Sequence, residues 1–559
     1  MRPSRFEPAV VFVAIFTGIF LLHAGVLSLP YFWDEAGYYV PAARDLLLHG
    51  RLIPSITVSN AHPPLVMAWL ALWWKYAGYA PLVTRSAMLL VAAFSLLGVF
   101  RLAERVTNTQ VAIASTLCTA LYPVFFAQSS LAQVDLAAAG LTFWALSFYV
   151  EDKPIVAAIW FSLAVLAKET AILAPAALAG WESLGWIAGQ GKWRVLWRSQ
   201  GAESVRDLGR VAWLLVPVLP LALWYGYHYS HTGYVFGNPE FFRYNVAATL
   251  NPVRFLLALV LRLWQAFGYL HLWVLTGAML LAMQFPPLKD GDSERPRIAL
   301  PVQMIFLVVI AAYVVVMALI GGAVLARYML TAIPLVIMEA VATLRRRFRY
   351  WPAAVGVIAA AFIAGWFWNP PYGFSPEDNL AYHDYVGLHE DAERFLEARY
   401  PMARVLTAWP ASDELTRPWL GYTTRPVQVV RIEDFSLEQV ISAADLRQNF
   451  DVALVFSTKY EPVRPLLERW QTWTNLKRRF FGYERDLPAA AAAQILGGRI
   501  VYSRERRGQR IAVVEIEKSE IFNAHASENA GGSAYVSQRR IDSDRPVKIT
   551  GAGIDLHND

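Results

Sequence analysis

The apolar residues of this chain come in long blocks. A helix rises about 1.5 Å per residue, so crossing about 30 Å of hydrocarbon takes roughly 20 apolar residues. Segments 8–29, 81–100, 111–127, 131–150, 211–229, 270–285, 300–320, 324–344 and 351–368 meet or approach that length. Segment 154–180 is broken at Lys168-Glu169-Thr170. It reads as two short helices, or a re-entrant pair, with the Lys-Glu step at the turn. The pattern predicts about eleven crossings. Arg2 and Arg5 before the first block look like the start of a signal peptide. The block is too long for one and has no small-x-small cleavage site near its end, so it reads as a retained anchor.

After Trp368 the pattern changes. Asn369-Pro370-Pro371 stops the last helix, charges become frequent, and no later run is long enough to span. Residues 391–400 read as an amphipathic helix, 404–408, 427–430 and 452–456 as short strands, and 462–473 as a helix. Residues 500–502 and 511–516 flank Arg504-Glu505-Arg506-Arg507-Gly508-Gln509-Arg510, the signature of a hairpin. Strands alternating with helices predict a small α/β domain. The expected organisation is therefore an α-helical polytopic membrane domain over 1–369, with outer-face interfacial helices at 31–80. A soluble extracytoplasmic α/β domain over 370–518 and a loose polar tail over 519–559 follow it.

Composition sharpens this. Hydrophobic residues make up 56% of the 559 residues and charged residues only 17%, against about 25% charged in soluble proteins. A purely soluble chain is excluded. Aromatics at 14%, with 21 Trp and 25 Tyr, exclude disorder and fit broad membrane–water interfaces. A net charge of +6 gives nucleic acid no support as a partner. The single Cys118 excludes an intrachain disulfide or a cysteine metal cluster.

Lysines and arginines orient the membrane part. With the N-terminus inside, the inner loops hold Arg101 and Arg105, Lys153, the basic 192–210 stretch, Lys289, Arg295 and Arg297, and Arg345 to Arg347 with Arg349. The outer loops hold far fewer, as expected of cytoplasmic and external loops. An odd number of crossings places the C-terminal region outside.

The charges that break this segregation carry the candidate chemistry. Asp34 and Glu35 lie in Tyr31-Phe32-Trp33-Asp34-Glu35-Ala36-Gly37-Tyr38-Tyr39, at the outer mouth of the first block. They read either as solvated loop acids capping the next helix or as a functional pair. Asp135, in Gln133-Val134-Asp135-Leu136, enters an apolar zone nearly alone. Such a group is costly there and by default points to function, the alternative being an acid favoured by a helix N-terminus. His62 opens a Pro-Pro helix, and Lys168 interrupts an apolar run, as a functional cation or as the partner of Glu169. Arg243 lies in an outer loop, and Arg327 begins a late block. Both read equally as functional groups or as interfacial anchors. Acids and cations at one membrane face suit transfer from a lipid-phosphate sugar. Its phosphate leaves as an anion that cations stabilise, while a carboxylate deprotonates an acceptor hydroxyl.

In order and spacing these features resemble the polytopic GT-C glycosyltransferases. The pattern is nearest to bacterial members related to protein O-mannosyltransferases and to the lipid A aminoarabinose transferases. The resemblance rests on Trp33-Asp34-Glu35 followed by Tyr38 and Ala42, on His62-Pro63-Pro64-Leu65, on Asp135, on Ala167-Lys168-Glu169-Thr170, and on the run from Arg327-Tyr328 to Pro334. It covers roughly residues 8–370 by pattern and the tail domain only by class.

The resemblance implies an inverting transfer of a hexose or pentose from a polyprenyl-phosphate donor to a hydroxyl acceptor, on the outer face of a bacterial inner membrane. Asp34 would be the catalytic carboxylate, supported by Glu35 and Asp135. Lys168, with Arg243, His62 and Arg327, would meet the donor phosphate, and Tyr38 and Tyr328 would line the substrate cavity. The acceptor would be a glycan, a lipid or a protein hydroxyl. Many relatives carry a Lys just before the Pro-Pro element, where this chain has His62. A histidine is cationic only near or below a pKa of about 6.5, so His62 reads equally as a neutral hydrogen-bond donor. No metal-ligand spacing stands in the sequence, and a divalent ion between the acids is left open. The rival readings are a transporter or flippase, a surface-glycan ligase using a polyprenyl-linked substrate, and a non-catalytic sensor. Transporters favour internal repeats and groups near the membrane centre, and neither pattern is evident.

Overall fold

The computed structural model describes residues 7–187, 208–237, 249, 251–320, 322–462 and 469–517. Most of it is helical. Among the described residues, four helical segments are long and apolar enough to cross a membrane: Pro81–Val106, Gly209–Thr232, Pro252–Ala282 and Leu300–Leu319. Thr109–Leu121 and Pro123–Ser130 pass the same test as a pair bent by 69°. Four further apolar helices, Pro8–Leu22, Asp135–Val150, Pro154–Ala167 and Trp351–Phe367, are shorter.

These helices start where the sequence gives them reason to. Asn108 and Asn251 cap the Thr109 and Pro252 helices, each accepting from backbone N–H groups of the first turn. Proline opens the 8, 81, 123, 154, 252 and 300 helices within their first two positions, where its missing N–H costs nothing.

Several helices are shorter than the apolar blocks predicted. The first helix ends at Leu22 rather than near 29. The fourth block begins its helix at Asp135, not 131. Pro154–Ala167 stops at Lys168, and a 3-10 turn, Glu169–Ile172, leads into Leu173–Ile187. Another 3-10 turn, Ala326–Met329, precedes the Ile333–Arg347 helix. The break at Lys168 falls where the sequence places it, whereas apolar composition alone runs straight through the others.

At the far ends of the same helices the basic loops knit together. Arg105 pairs with Glu151, Arg210 with Asp152, and Arg346 with Glu294.

The C-terminal part is a five-stranded sheet with helices. From one edge to the other the strands run Gln428–Ile432, Arg404–Ala408, Val452–Phe456, Gln509–Ile516 and Gly498–Arg506. The first three are parallel and the last two antiparallel. Strands 404–408 and 452–456 fall where the sequence places them, and the hairpin turns at Arg507-Gly508. The amphipathic helix is longer than expected, Ala381–Arg399. Of the predicted 462–473 helix, residues 463–468 lie outside the described residues, and a helix at Gln471–Phe481 overlaps its end. Short helices at Ala411–Thr416, Leu437–Ala444 and Ala489–Leu496 escaped the pattern, being too brief for an apolar period to register.

The sheet is not a separate body. One buried apolar cluster includes Tyr31, Phe32, Val66 and Leu70 of the segment after the first helix together with Tyr382, Tyr385, Val405 and Leu454 of the C-terminal sheet region.

Candidate active site at the helix ends

The segment after the first helix is held rigidly. Trp33 takes a positive φ of 44°. From Glu35 to Tyr39 the chain forms a π turn that runs into the Val40–His49 helix. Single π turns of this kind recur at functional sites.

Glu35 fixes the segment. One of its oxygens accepts from the Phe32 N–H (2.8 Å) and the other from the Ala132 N–H (2.6 Å). Arg85 clamps the same carboxylate from Nη1 (3.2 Å) and Nη2 (3.3 Å), and also reaches the carbonyls of Pro30 (2.8 Å) and Ser130 (3.0 Å). Both side chains are fully buried. The Asp34 segment and the 131–134 loop before Asp135 are thus bound to one ion pair.

The neighbouring residue has a different partner. Asp34 Oδ2 accepts from Arg327 Nη2 (2.5 Å). Arg327 Nη1 donates to Gln133 Oε1 and to Glu377 Oε2, each at 2.5 Å. Its Nε lies 3.4 Å from Asp135 Oδ2. Asp135 Oδ1 accepts from Lys168 Nζ at 2.5 Å. Three carboxylates therefore share two cations around one guanidinium. Asp34 is the open member. Its side chain is 18% exposed, against 4% for Asp135 and 3% for Glu377.

A cationic wall continues to one side. Lys168 Nζ lies 4.2 Å from the centre of the Tyr328 ring, and the Arg262 guanidinium 5.4 Å. Arg262 is fully buried. Its described hydrogen bonds go to the Gln265 side chain (2.8 Å) and to carbonyls of Met317, Ala323 and Leu325. All of these acceptors are neutral.

The residues predicted from sequence divide clearly. Asp34, Asp135, Lys168, Arg327 and Tyr328 come together. Glu35 sits beside them with its charge taken up by Arg85. His62 faces Glu169 (2.7 Å) and stacks on Tyr39 (5.9 Å), so Glu169 partners His62 while Lys168 goes to Asp135. Tyr38 packs on Trp409 of the C-terminal sheet region (5.7 Å). Arg243 lies outside the described residues.

Four contributors escaped the sequence reading: Arg85, Gln133, Arg262 and Glu377. Arg85 and Arg262 carry the signal that singled out Asp135, an ionisable group inside an apolar helix. Glu377 follows the last apolar helix and folds back into the site. Its neighbour Asp378 is buried, accepting from the Tyr269 hydroxyl at 2.6 Å. Burial, with the Glu377 charge second, pushes the Asp378 carboxyl up to about 8.

Comparison with known proteins bears on this arrangement. The sequence model of the family described as dolichyl-phosphate-mannose-protein mannosyltransferase matches residues 61–224, a stretch containing His62, Asp135 and Lys168. The structure is similar to ArnT from Cupriavidus metallidurans bound to undecaprenyl phosphate, with a TM-score of 0.52 and 15% identity, covering 90% of this chain and 97% of that one. The chain has the GT-C fold. In the apo state ArnT gives the same TM-score at 16% identity, covering 90% and 97%. An Archaeoglobus fulgidus oligosaccharyltransferase is also similar, with a TM-score of 0.45 and 12% identity over 80% of this chain and 68% of that one. A search of curated protein sequences returns no match. The GT-C fold and the apolar helices make the chain a membrane protein, with a small α/β sheet domain after the last apolar helix.

Proposed function

We propose that this chain is a glycosyltransferase that moves a sugar from a polyprenyl-phosphate donor to a hydroxyl acceptor, with inversion, at the outer face of a bacterial inner membrane. The N-terminus is then cytoplasmic and the sheet domain external. The observation that carries the reading is Asp34, the least buried carboxylate of the Arg327 cluster.

In this reading the acceptor oxygen attacks the anomeric carbon while the bond from that carbon to the phosphate oxygen breaks. The acceptor proton passes to Asp34, and the electron pair leaves on the lipid phosphate. Arg327 pairs with Asp34 and aims its carboxylate. Lys168 and Arg262, flanking Tyr328, receive the phosphate. Arg262 suits this because its bonds are to neutral acceptors, leaving its charge to be balanced by an anion. Glu35 acts through the backbone, placing the Asp34 and Asp135 segments. ArnT, the structural relative, is known with undecaprenyl phosphate bound, which supports a donor of that class. A transporter reading fits less well, because Asp34, Asp135, Lys168 and Arg327 stand at helix ends rather than at mid-helix.

The test is Asp34→Asn in a deletion background, with surface glycans and lipids read by mass spectrometry. A base of this kind contributes about 10²–10⁴-fold, so the transferred sugar should vanish while the protein still inserts and folds. An unchanged glycan and lipid profile in that strain would remove Asp34 from catalysis.

A further inference from the structure

The soluble domain buries a second set of ionisable side chains that this reaction does not use. His389 and Glu393 stand one turn apart on the Ala381–Arg399 helix, and Glu414 comes from the Ala411–Thr416 helix. Their residue exposures are 1%, 0% and 0%. His389 Nδ1 is 2.6 Å from Glu414 Oε2 and 3.8 Å from Glu393 Oε1. One donor atom from each residue falls within 4.8 Å of the others.

The set is incomplete as it stands. Neither oxygen of Glu393 has a hydrogen-bond partner, and neither does Oε1 of Glu414. Aromatic rings close the surroundings: Tyr385 stacks on the His389 ring at 4.0 Å, and Phe456 meets it edge-on at 4.7 Å. Two carboxylates in such a shell need a proton or a cation between them.

A histidine nitrogen with two carboxylate oxygens is a donor set that zinc accepts. Bond lengths of about 2.0–2.2 Å in tetrahedral geometry hold ligand atoms roughly 3.3 Å apart. The two measured separations bracket that value. A dication with two carboxylates and a neutral imidazole is also electroneutral, which a buried site requires.

We propose that His389, Glu393 and Glu414 form a structural zinc site that clasps the Ala381–Arg399 helix to the Ala411–Thr416 helix. The clasp sits behind the chain that presents Asp34. Tyr385 packs against Phe32 and Trp33 at 5.1 and 5.6 Å. Trp409, just before the second helix, packs against Trp33 at 5.2 Å.

The test uses the full-length chain in detergent, expressed with zinc in the medium. Elemental analysis should find about one zinc per wild-type chain and a loss of that zinc in Glu393→Gln. After the wild type is stripped with a chelator, adding Zn²⁺ should restore its unfolding temperature, and adding Co²⁺ should give the visible absorption of a tetrahedral site. The wild-type measurements stand even if the variant fails to fold. Wild-type protein that holds no zinc and shows neither a thermal shift with Zn²⁺ nor Co²⁺ absorption would overturn the proposal, leaving a proton shared by the two glutamates. A folded Glu393→Gln protein that keeps its zinc would overturn it equally.

Discussion

Arg85 and Glu35 meet with neither side chain touching solvent, Nη1 to Oε1 at 3.2 Å and Nη2 to Oε2 at 3.3 Å. Removing one member of a buried pair strands the other, at a cost of about 3–5 kcal/mol. Glu35→Gln and Arg85→Met should each lower stability by that order. The double variant should lose clearly less than their sum, since it strands neither charge. Thermal unfolding of the four proteins in detergent measures the coupling, and strict additivity would show the two residues to be independent.

Lys168 is expected to act on the donor phosphate. A hydrogen bond to a charged group contributes about 1.5–3 kcal/mol, or roughly ten- to a hundredfold in affinity. Lys168→Met should weaken binding of a polyprenyl phosphate by that factor, and Lys168→Arg should recover part of it. Tryptophan fluorescence during titration with the lipid phosphate gives the constants. Equal affinities for wild type and Lys168→Met would take Lys168 out of the donor site.

Arg327 joins Asp34, Gln133 and Glu377 through two nitrogens of one planar fork. A lysine offers a single point charge and cannot reproduce that fork. Arg327→Lys should therefore lower kcat by about a hundredfold or more, with a smaller change in donor KM. Steady-state transfer assays decide this. A change confined to KM would mean that Arg327 serves binding alone.

Asp378 gives a pH signature. Its folded pKa, about 8, lies above its ordinary 3.8. The stability it contributes is present in full below the ordinary value and is lost as pH rises through about 8. Wild type should hold its largest stability advantage over Asp378→Asn near pH 4 and lose it progressively toward about pH 9. Asparagine keeps an acceptor for the Tyr269 hydroxyl, so the comparison isolates the proton. Unfolding temperatures of both proteins across that range would refute the assignment if their difference stayed constant.

Much of this was legible in the sequence, for a physical reason. A charge inside an apolar block is expensive wherever it stands, so Asp135, Lys168 and Arg327 announce themselves without knowledge of the fold. Asp34 and Glu35 look alike in sequence, yet one faces Arg327 and the other Arg85. Adjacent side chains on a tight turn diverge, and sequence spacing does not say which arginine each will find. Glu377 was invisible because it lies in an ordinary charged loop, and only the return of that loop makes it a partner of Arg327. His389 and Glu393 carry a readable spacing of four on a helix. Their third member, Glu414, arrives from another element, and no local pattern ties it to them.

The return of residues 376–378 bears on how the chain can be divided. A cut after Trp368 would keep the apolar helices and remove Glu377, the carboxylate that Arg327 holds alongside Asp34. The membrane half would then be left with an altered charge balance at its own centre. A chimera that exchanges sheet domains between relatives should carry residues 369–380 with the membrane half. The seam between the two domains belongs to the machinery on one side of it.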